Sequence, residues 1–245
     1  MMAVLKSRLD QLLVERGLAD SREKARALIL AGHVLVEGQK SDKPGHSFPS
    51  DCKVVVTERM PYVSRGGLKL AAALDHFQID VSRWVCLDVG ASTGGFTDCL
   101  LQRGAARVWA VDVGHGQLDW KLRNDPRVVV REGVNARFLE TAAISQSFDL
   151  AVCDVSFISV TLLIPTIVPL LVKHGQMVIL VKPQFEVGKD QVGRGGIVRD
   201  PELHRAACDR VRAAVEAKGF STALMESPIL GAEGNHEFLL YAKPL

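Results

Sequence analysis

The chain has 245 residues, 47% of them hydrophobic, which is enough to bury a full core and leaves length for a small second module. Its 30 basic and 28 acidic residues give a formal net charge of +2, so the overall charge does not require a polyanionic partner. The 5 cysteines are widely spaced without a C-x-x-C pair, and no histidines lie at metal-ligand spacing. We therefore expect reduced thiols, no metal site and a cytoplasmic protein.

Two features argue against export and membrane insertion. Residues 1–5 lead directly into charged residues, without the apolar core of a secretory signal. The longest apolar stretch, residues 160–172, contains two prolines and is shorter than the roughly 20 residues that a membrane span needs. We therefore expect no membrane partner.

The N-terminal part has the pattern of a small α+β module. Leucines at helical spacing predict a first helix from residue 9, which Gly17 ends. Asp20, with Glu23 three residues on, predicts the start of a second helix, which Gly32 ends. The apolar positions of the two helices are Leu9, Leu12, Leu13, Ala25, Leu28 and Ile29.

Short strand patterns follow at residues 33–37 and 53–57, separated by the turn-rich segment 38–51. Pro61 then marks a break in the chain. We therefore expect two domains, residues 1–60 and 61–245.

The second domain alternates apolar runs with helix-length segments, which predicts buried parallel strands in a βαβ sheet. A helix is expected at residues 201–218, and an antiparallel pair at residues 223–230 and 238–242. The predicted fold is α/β, a Rossmann-type, mostly parallel sheet with an antiparallel last strand, preceded by the small α+β module. The apolar runs are residues 85–89, 108–113, 128–130, 150–153 and 177–181.

A glycine-rich turn follows the first of these runs. Such a turn lets the backbone approach a nucleotide at a helix N-terminus. Its spacing differs from G-x-G-x-x-G, and it lacks the Walker lysine, which favours S-adenosylmethionine over NAD or ATP. Asp112, about 20 residues on, is positioned to accept ribose hydroxyls; alternatively, the glycines serve a tight turn and Asp112 only ends a strand. The candidate cofactor residues are Asp88, Gly90, Ser92, Thr93, Gly94, Gly95, Phe96, Asp112 and Asp154.

Four polar residues are candidates for the reaction centre. Asp154 and Lys182 each follow a predicted parallel strand, and carboxyl ends of such strands meet at the ligand crevice. Lys69 lies on a predicted helix before the first strand, and Glu237 begins the last strand. We expect these four side chains to converge; the alternative for each is an ordinary surface ion pair.

The order Lys69, Asp154, Lys182, Glu237 resembles the K-D-K-E tetrad of FtsJ-like RNA 2'-O-methyltransferases. More specifically, five stretches are similar to the TlyA family, whose members are called haemolysins in older usage and act as ribosomal RNA cytidine 2'-O-methyltransferases. The resemblance covers essentially the whole chain, since that family carries an S4-like RNA-binding module where residues 8–60 lie. It implies S-adenosylmethionine as cofactor and ribosomal RNA or a ribosomal subunit as partner. The similar stretches are residues 63–69, 90–96, 154–159, 182–188 and 195–201.

The chemistry of the four residues suits methyl transfer from a sulfonium to a ribose 2'-hydroxyl. This in-line displacement needs no metal, but the hydroxyl must lose or share its proton. Lys182 is the candidate base, because a desolvated lysine near another cation, here Lys69, can release its proton. Asp154 would orient a lysine and the sulfonium, and Glu237 would hold Lys69 or the ribose.

Phosphate binding requires local clusters of basic residues, which the sequence contains in two places. One lies in the second helix, and the other in the glycine-containing segment 189–205, which is either a mobile RNA-facing loop or a plain linker. Phe157 is equally suited to stacking on a base or the adenine and to core packing. The candidate RNA-binding residues are Arg8, Arg22, Lys24, Arg26, Arg65, Lys189 and Arg194.

Two other functions remain open. A non-catalytic RNA-binding or assembly factor could retain this fold, and a cytolytic protein could act on membranes. The complete set of four reaction-centre residues argues against the first, and the lack of a spanning segment argues against the second.

Overall fold

A computed structural model of the chain describes residues 6–30, 32–56, 61–139, 144, 146–231 and 234–245. The chain forms two compact units, residues 1–60 and 61–245. Among the described residues, no helix combines the length and apolar character needed to cross a membrane.

The first unit packs two helices against short antiparallel strands. Strands β1 and β4 form one pair, and β2 pairs with both β3 and β5. The leucines of the first helix and Ile29 of the second are buried in its core, as their helical spacing predicts. The elements are β1 (Lys6–Arg8), α1 (Leu9–Glu15), α2 (Arg22–Leu30), β2 (Val34–Val36), β3 (Gln39–Lys40), β4 (Ser47–Pro49) and β5 (Val54–Val56).

Two details of this unit differ from the sequence prediction. The α2 helix begins at Arg22, and the Ser21 hydroxyl accepts the Lys24 backbone N–H at 3.2 Å, while Asp20 forms an ion pair with the Lys24 side chain. The segment 38–51 contains β3 and β4, whose two or three residues are too few to produce a period-two pattern. Residue 57, at the end of the last predicted strand, lies outside the described residues.

Within the described part of the second unit, seven strands form one sheet in the order β11-β12-β10-β9-β6-β7-β8. Strands β6 to β10 run parallel, and β12 pairs antiparallel with both β10 and β11. This confirms the predicted Rossmann-type sheet. The elements are α3 (Gly66–His76), β6 (Val85–Val89), α4 (Gly95–Gln102), β7 (Arg107–Val111), α5 (Trp120–Arg123), β8 (Val128–Arg131), β9 (Phe148–Cys153), α6 (Ile164–Ile167), β10 (Leu171–Val181), α7 (Pro183–Glu186), α8 (Pro201–Glu216), β11 (Phe220–Glu226) and β12 (Phe238–Pro244).

Strand β10 extends well beyond the predicted residues 177–181. Its first half carries exposed residues, including Lys173 and His174, and its register shifts between Leu171 and Gln176. The apolar run 177–181 coincides with the buried half of β10, because the exposed half of a strand does not require apolar side chains.

The order of the strands creates the position for a ligand. From β6 the chain proceeds to β7 and β8 on one side, and then returns to β9 and β10 on the other. Two connections therefore leave in opposite directions from the carboxyl ends of β6 and β9, and a crevice opens between them. Asp154 follows β9 directly, and its backbone N–H donates to the Val89 carbonyl at 2.9 Å.

Candidate active site

The crevice at this switch point holds two adjoining cavities, of about 650 Å³ and about 350 Å³. All four predicted reaction-centre residues line the larger cavity. The smaller cavity is lined by Asp112 and by apolar side chains such as Val113 and Leu163. The residues shared by both cavities are Gly90, Ser92, Asp154, Ser156 and Phe157.

The glycine-rich turn forms one wall of the crevice. Gly90 has φ +85°, and a Cβ there would collide with the Asp154 carbonyl, so only glycine allows the two chain segments to approach so closely. Asp112 holds the turn from the next strand, since its carboxylate accepts the N–H groups of Ser92 at 2.8 Å and Gly114 at 2.7 Å. Thr93, Gly95 and Phe96 line the larger cavity, as Ser92 does.

Gly94 and Asp88 lie behind this wall rather than on it. Gly94 has φ +95°, and a Cβ there would collide with the side chains of Leu118 and Leu122, so packing and backbone conformation require glycine. Neither Gly94 nor Asp88 lines either cavity. For these two residues the structure therefore differs from the expected cofactor contact, because the Asp88 side chain is fully buried and Gly94 packs against Leu118 and Leu122.

Asp88 is a fully buried acid in β6. Its Oδ2 accepts the Thr97 hydroxyl at 2.6 Å, whereas its Oδ1 has no hydrogen-bond partner among the described residues. Burial raises the pKa of Asp88 to about 7, against the opposing effect of the Thr97 hydrogen bond, and Asp154 adds to the rise. This carboxyl braces the first turn of α4, which follows the glycine turn.

Lys69 and Glu237 form a buried ion pair between α3 and the start of β12. Their side chains are only 10% and 3% exposed, and both line the larger cavity. Two charges at this depth stabilise each other, because neither can be solvated fully by water.

Lys182 and Asp154 form a second ion pair at the ends of the neighbouring strands β10 and β9. Lys182 Nζ lies 2.6 Å from Asp154 Oδ1 and donates a hydrogen bond to the Ser156 hydroxyl at 2.9 Å. The Lys182 ammonium therefore faces both the Asp154 carboxylate and the Ser156 hydroxyl at the carboxyl end of β9. Each lysine of the site thus has its own carboxylate.

Sequence reasoning did not select Ser156, Asn235 or Glu186, although each helps to build the site. Ser156 follows a strand end by three residues, and Asn235 precedes Glu237 by two, positions that draw attention only once the tetrad is known. The buried Glu186 accepts the Ser159 hydroxyl and, at 2.8 Å, the Val160 N–H, which ties the segment after β9 to α7. Burial raises the pKa of Glu186, and these two hydrogen bonds oppose the rise.

Phe157 projects from the rim that the two cavities share. Its side chain is 91% exposed, and its φ of +68° lies in the left-handed region, which costs a non-glycine residue about 1–3 kcal/mol. Its ring lies 5.3 Å from that of Phe185, between centroids. An exposed aromatic ring at a cavity mouth, on a strained backbone, excludes the core-packing interpretation of Phe157.

The predicted RNA-binding residues are spread over the two units. In the second unit, the exposed Arg65 lines the larger cavity, and the exposed Lys189 and Arg194 lie in the segment after α7. Lys189 and Arg194 do not line either cavity. Among the described residues, no group of three or more His, Cys, Asp or Glu side chains is arranged to hold a metal ion.

In the first unit, two of the predicted arginines are engaged by a buried acid. Arg8 and Arg22 both contact the fully buried Asp10, at 3.0 Å and 3.2 Å. The hydrogen bond from Arg8 is the main reason that the pKa of Asp10 is lowered to about 2. These arginines are still 46% and 55% exposed, so they can reach a phosphate while being oriented from below. Arg26 is exposed on α2.

Comparison with known proteins identifies the family. Residues 62–243 match the FtsJ-like methyltransferase model, and residues 7–48 match the S4 domain. The chain is 48% identical to the 16S/23S rRNA (cytidine-2'-O)-methyltransferase TlyA of Mycobacterium tuberculosis, over 97% of this chain and 90% of that protein. It is 43% identical to hemolysin A of Brachyspira hyodysenteriae, over 96% and 98% of the two chains.

A solved structure of a candidate hemolysin from Streptococcus thermophilus is 45% identical, with a TM-score of 0.75, and the match covers 99% of this chain and 90% of that one. The resemblance expected from the motifs is confirmed. The chain belongs to the FtsJ-like methyltransferase family, together with the TlyA proteins, and carries an S4 domain at its N-terminal end.

Proposed function

We propose that this protein transfers a methyl group from S-adenosylmethionine to the 2'-hydroxyl of a cytidine ribose in ribosomal RNA. The observation that carries the proposal is the convergence of the Lys69–Glu237 and Lys182–Asp154 ion pairs on one cavity beside a glycine-rich turn. One buried and one partly exposed lysine–carboxylate pair at a switch point are suited to holding a hydroxyl and moving its proton.

The residues of the smaller cavity fit the cofactor. S-adenosylmethionine, when bound, supplies the methyl group on a positively charged sulfonium. Apolar side chains, among them Val113 and Leu163, suit an adenine ring, and Asp112 is the acceptor for ribose hydroxyls. The carboxylate of Asp154, a residue that lines both cavities, is suited to a cationic group.

The residues of the larger cavity act on the ribose. Lys182 holds the 2'-hydroxyl proton or accepts it as the hydroxyl becomes nucleophilic. Asp154 and Ser156 fix the position of the Lys182 ammonium, and Glu237 fixes that of Lys69. Lys69 supplies a second positive charge for an oxygen that gains negative charge. Phe157, exposed at the rim, is available to a nucleotide entering the cavity.

The S4 domain and the relatives support RNA as the partner. The M. tuberculosis relative is named for cytidine-2'-O methylation of 16S and 23S rRNA. We extend this substrate class to the present chain, with the basic residues of α2 contacting phosphates, and with the cytoplasm, where ribosomes are found, as its location.

The test is transfer of labelled methyl groups from S-adenosylmethionine to ribosomal subunits and to purified rRNA, with the modified ribose mapped by its resistance to alkaline cleavage. We expect label at a cytidine 2'-oxygen, and about 10²-fold slower labelling with Lys182→Ala. Tight RNA binding without transfer would instead indicate an assembly factor, and lysis of erythrocytes by the purified protein without transfer would indicate a cytolytic protein.

A further inference from the structure

The segment between α7 and α8 contains a tight turn at residues 193–198. The Gly193 N–H donates to the Ile197 carbonyl, and the Gly196 N–H donates to the Gly193 carbonyl, both at 3.1 Å. Gly195 and Gly196 have φ angles of +78° and +74°, which favour glycine. Arg194 is exposed on this turn, and Gly196 lines the larger cavity.

Buried side chains clamp the end of this turn. The Val198 N–H donates to Asn235 Oδ1 at 3.1 Å, and the Val198 carbonyl lies 2.8 Å from His204 Nε2. Asn235 Nδ2 also donates to the Gly196 carbonyl at 3.0 Å. Asn235 is 3% exposed and Val198 1%. The amide of Asn235 therefore bridges two peptide groups of the turn, and its bond to Val198 is buried.

Asn235 lies on one particular side of the crevice. Together with Gly196, Lys69 and Glu237, it lines the larger cavity, and none of these four lines the smaller cavity that contains Asp112. The turn and Asn235 thus form a wall on the side away from the proposed cofactor site. A segment with three glycines would sample many conformations without such an anchor, and binding RNA would then carry the cost of ordering it.

We propose that Asn235 is a positioning residue that presets the 193–198 turn as the substrate-side wall of the active site, so that RNA meets an ordered surface beside the Lys69–Glu237 pair. The inference rests on the proposed methyl transfer to RNA. It assigns to Asn235 an effect on the RNA step and none on cofactor binding.

Two variants disturb the turn by different means. Asn235→Ala removes the two hydrogen bonds from the Asn235 side chain to Val198 and Gly196. Gly195→Ala strains the backbone, because a φ of +78° is unfavourable for alanine. It causes no steric clash, because the nearest atom to the added Cβ is Ile197 Cδ1, at 4.0 Å. Asn124→Ala is the matched control, because Asn124 is exposed on another surface and donates only a local bond to the Trp120 carbonyl.

For each full-length variant we would measure amide hydrogen exchange of residues 193–198, melting temperature, S-adenosylmethionine affinity by calorimetry, and kcat and KM for rRNA methylation. In both turn variants we expect exchange to rise about tenfold or more, cofactor affinity to stay within about twofold of wild type, and kcat/KM for RNA to fall about tenfold, on the scale of one lost buried hydrogen bond. The control should match wild type in all four measurements.

Faster exchange with unchanged kcat/KM for RNA would overturn the proposal. The proposal would also be overturned if lower cofactor affinity and a lower melting temperature accounted for the loss of activity. Asn235 would then have only a structural role. A wild-type protein inactive on RNA would overturn the proposed function and the substrate role of Asn235 with it, whereas unchanged exchange in Asn235→Ala would overturn the anchor itself.

Discussion

Lys182 and Asp154 face each other across the ends of two neighbouring parallel strands, with 2.6 Å between Nζ and Oδ1. The lysine also donates to the Ser156 hydroxyl, so two groups from the β9 end determine where its ammonium lies. These two contacts hold the Lys182 ammonium in place, although the lysine side chain is flexible.

If Lys182 accepts the 2'-hydroxyl proton, Lys182→Ala should fold and bind cofactor and RNA while transferring methyl groups about 10²-fold more slowly. Lys182→Arg should also fail, because a guanidinium keeps its proton at any working pH. Single-turnover methylation across pH is the measurement. The control is Lys173→Ala, at the exposed opposite end of the same strand. Near-normal transfer by Lys182→Arg would leave Lys182 only a positioning or electrostatic role.

We expect the effects of substitutions at Lys69 and Glu237 on the free energy of unfolding to be strongly coupled. Removing one partner leaves a buried charge without compensation, so Lys69→Met and Glu237→Gln should each lower the free energy of unfolding by about 3 kcal/mol. The double variant should lose less than the sum of the two. Urea denaturation provides the four values of the cycle. The exposed pair Arg103–Asp75 serves as comparison, with an expected coupling below about 1 kcal/mol. Additive losses at residues 69 and 237 would contradict the expectation.

Asp88 predicts a pH dependence of stability. Its pKa in the folded protein is about 7, raised by burial from the usual 3.8 of an aspartate carboxyl. Between these two values the folded protein keeps a proton that the unfolded chain has released, so stability falls as pH rises through this window. The decline ends above the folded pKa, once both states are ionised.

The neutral isostere Asp88→Asn should remove this part of the pH dependence. The free energy of unfolding of wild type minus that of the variant should decrease from about pH 4 to about pH 7. Exposed Asp80, whose pKa is lowered by the side-chain hydrogen bond with Ser82, provides the control Asp80→Asn. Parallel pH profiles for wild type and Asp88→Asn would show that Asp88 stays ionised when buried.

Arg26 predicts the contribution of the S4 unit to RNA affinity. The side chain is exposed on α2, so Arg26→Ala should weaken RNA binding, lower the slope of log K against log salt by about one, and leave cofactor affinity unchanged. Arg22→Ala should additionally lower stability, because it deprives the buried Asp10 of a partner. Titrations at several salt concentrations, with Lys218→Ala in the exposed turn after α8 as control, provide the test. A slope equal to that of wild type would remove Arg26 from the RNA interface.

The sequence by itself determined the class of fold and the edge of the sheet at which the site forms. Apolar runs separated by helix-length segments are typical of parallel strands that are buried on both faces. Residues that follow such strands meet at one edge of the sheet. Asp154 and Lys182 were therefore predictable as neighbours from local pattern alone, whereas the approach of Gly90 to the Asp154 carbonyl was not. The sequence motifs also indicated the FtsJ-like methyltransferase family.

Only the tertiary structure decided which groups pair and which face the cavities. Lys69 and Glu237 are 168 residues apart in the chain, and their pairing depends on β12 entering the sheet beside β10. Gly94 turned out to face the core, and Asn235 to anchor a distant turn, through contacts that no local pattern contains. The physical reason is that spacing along the chain encodes periodicity and turn chemistry, whereas the partner of a buried polar group is set by the register and packing of elements far apart in sequence.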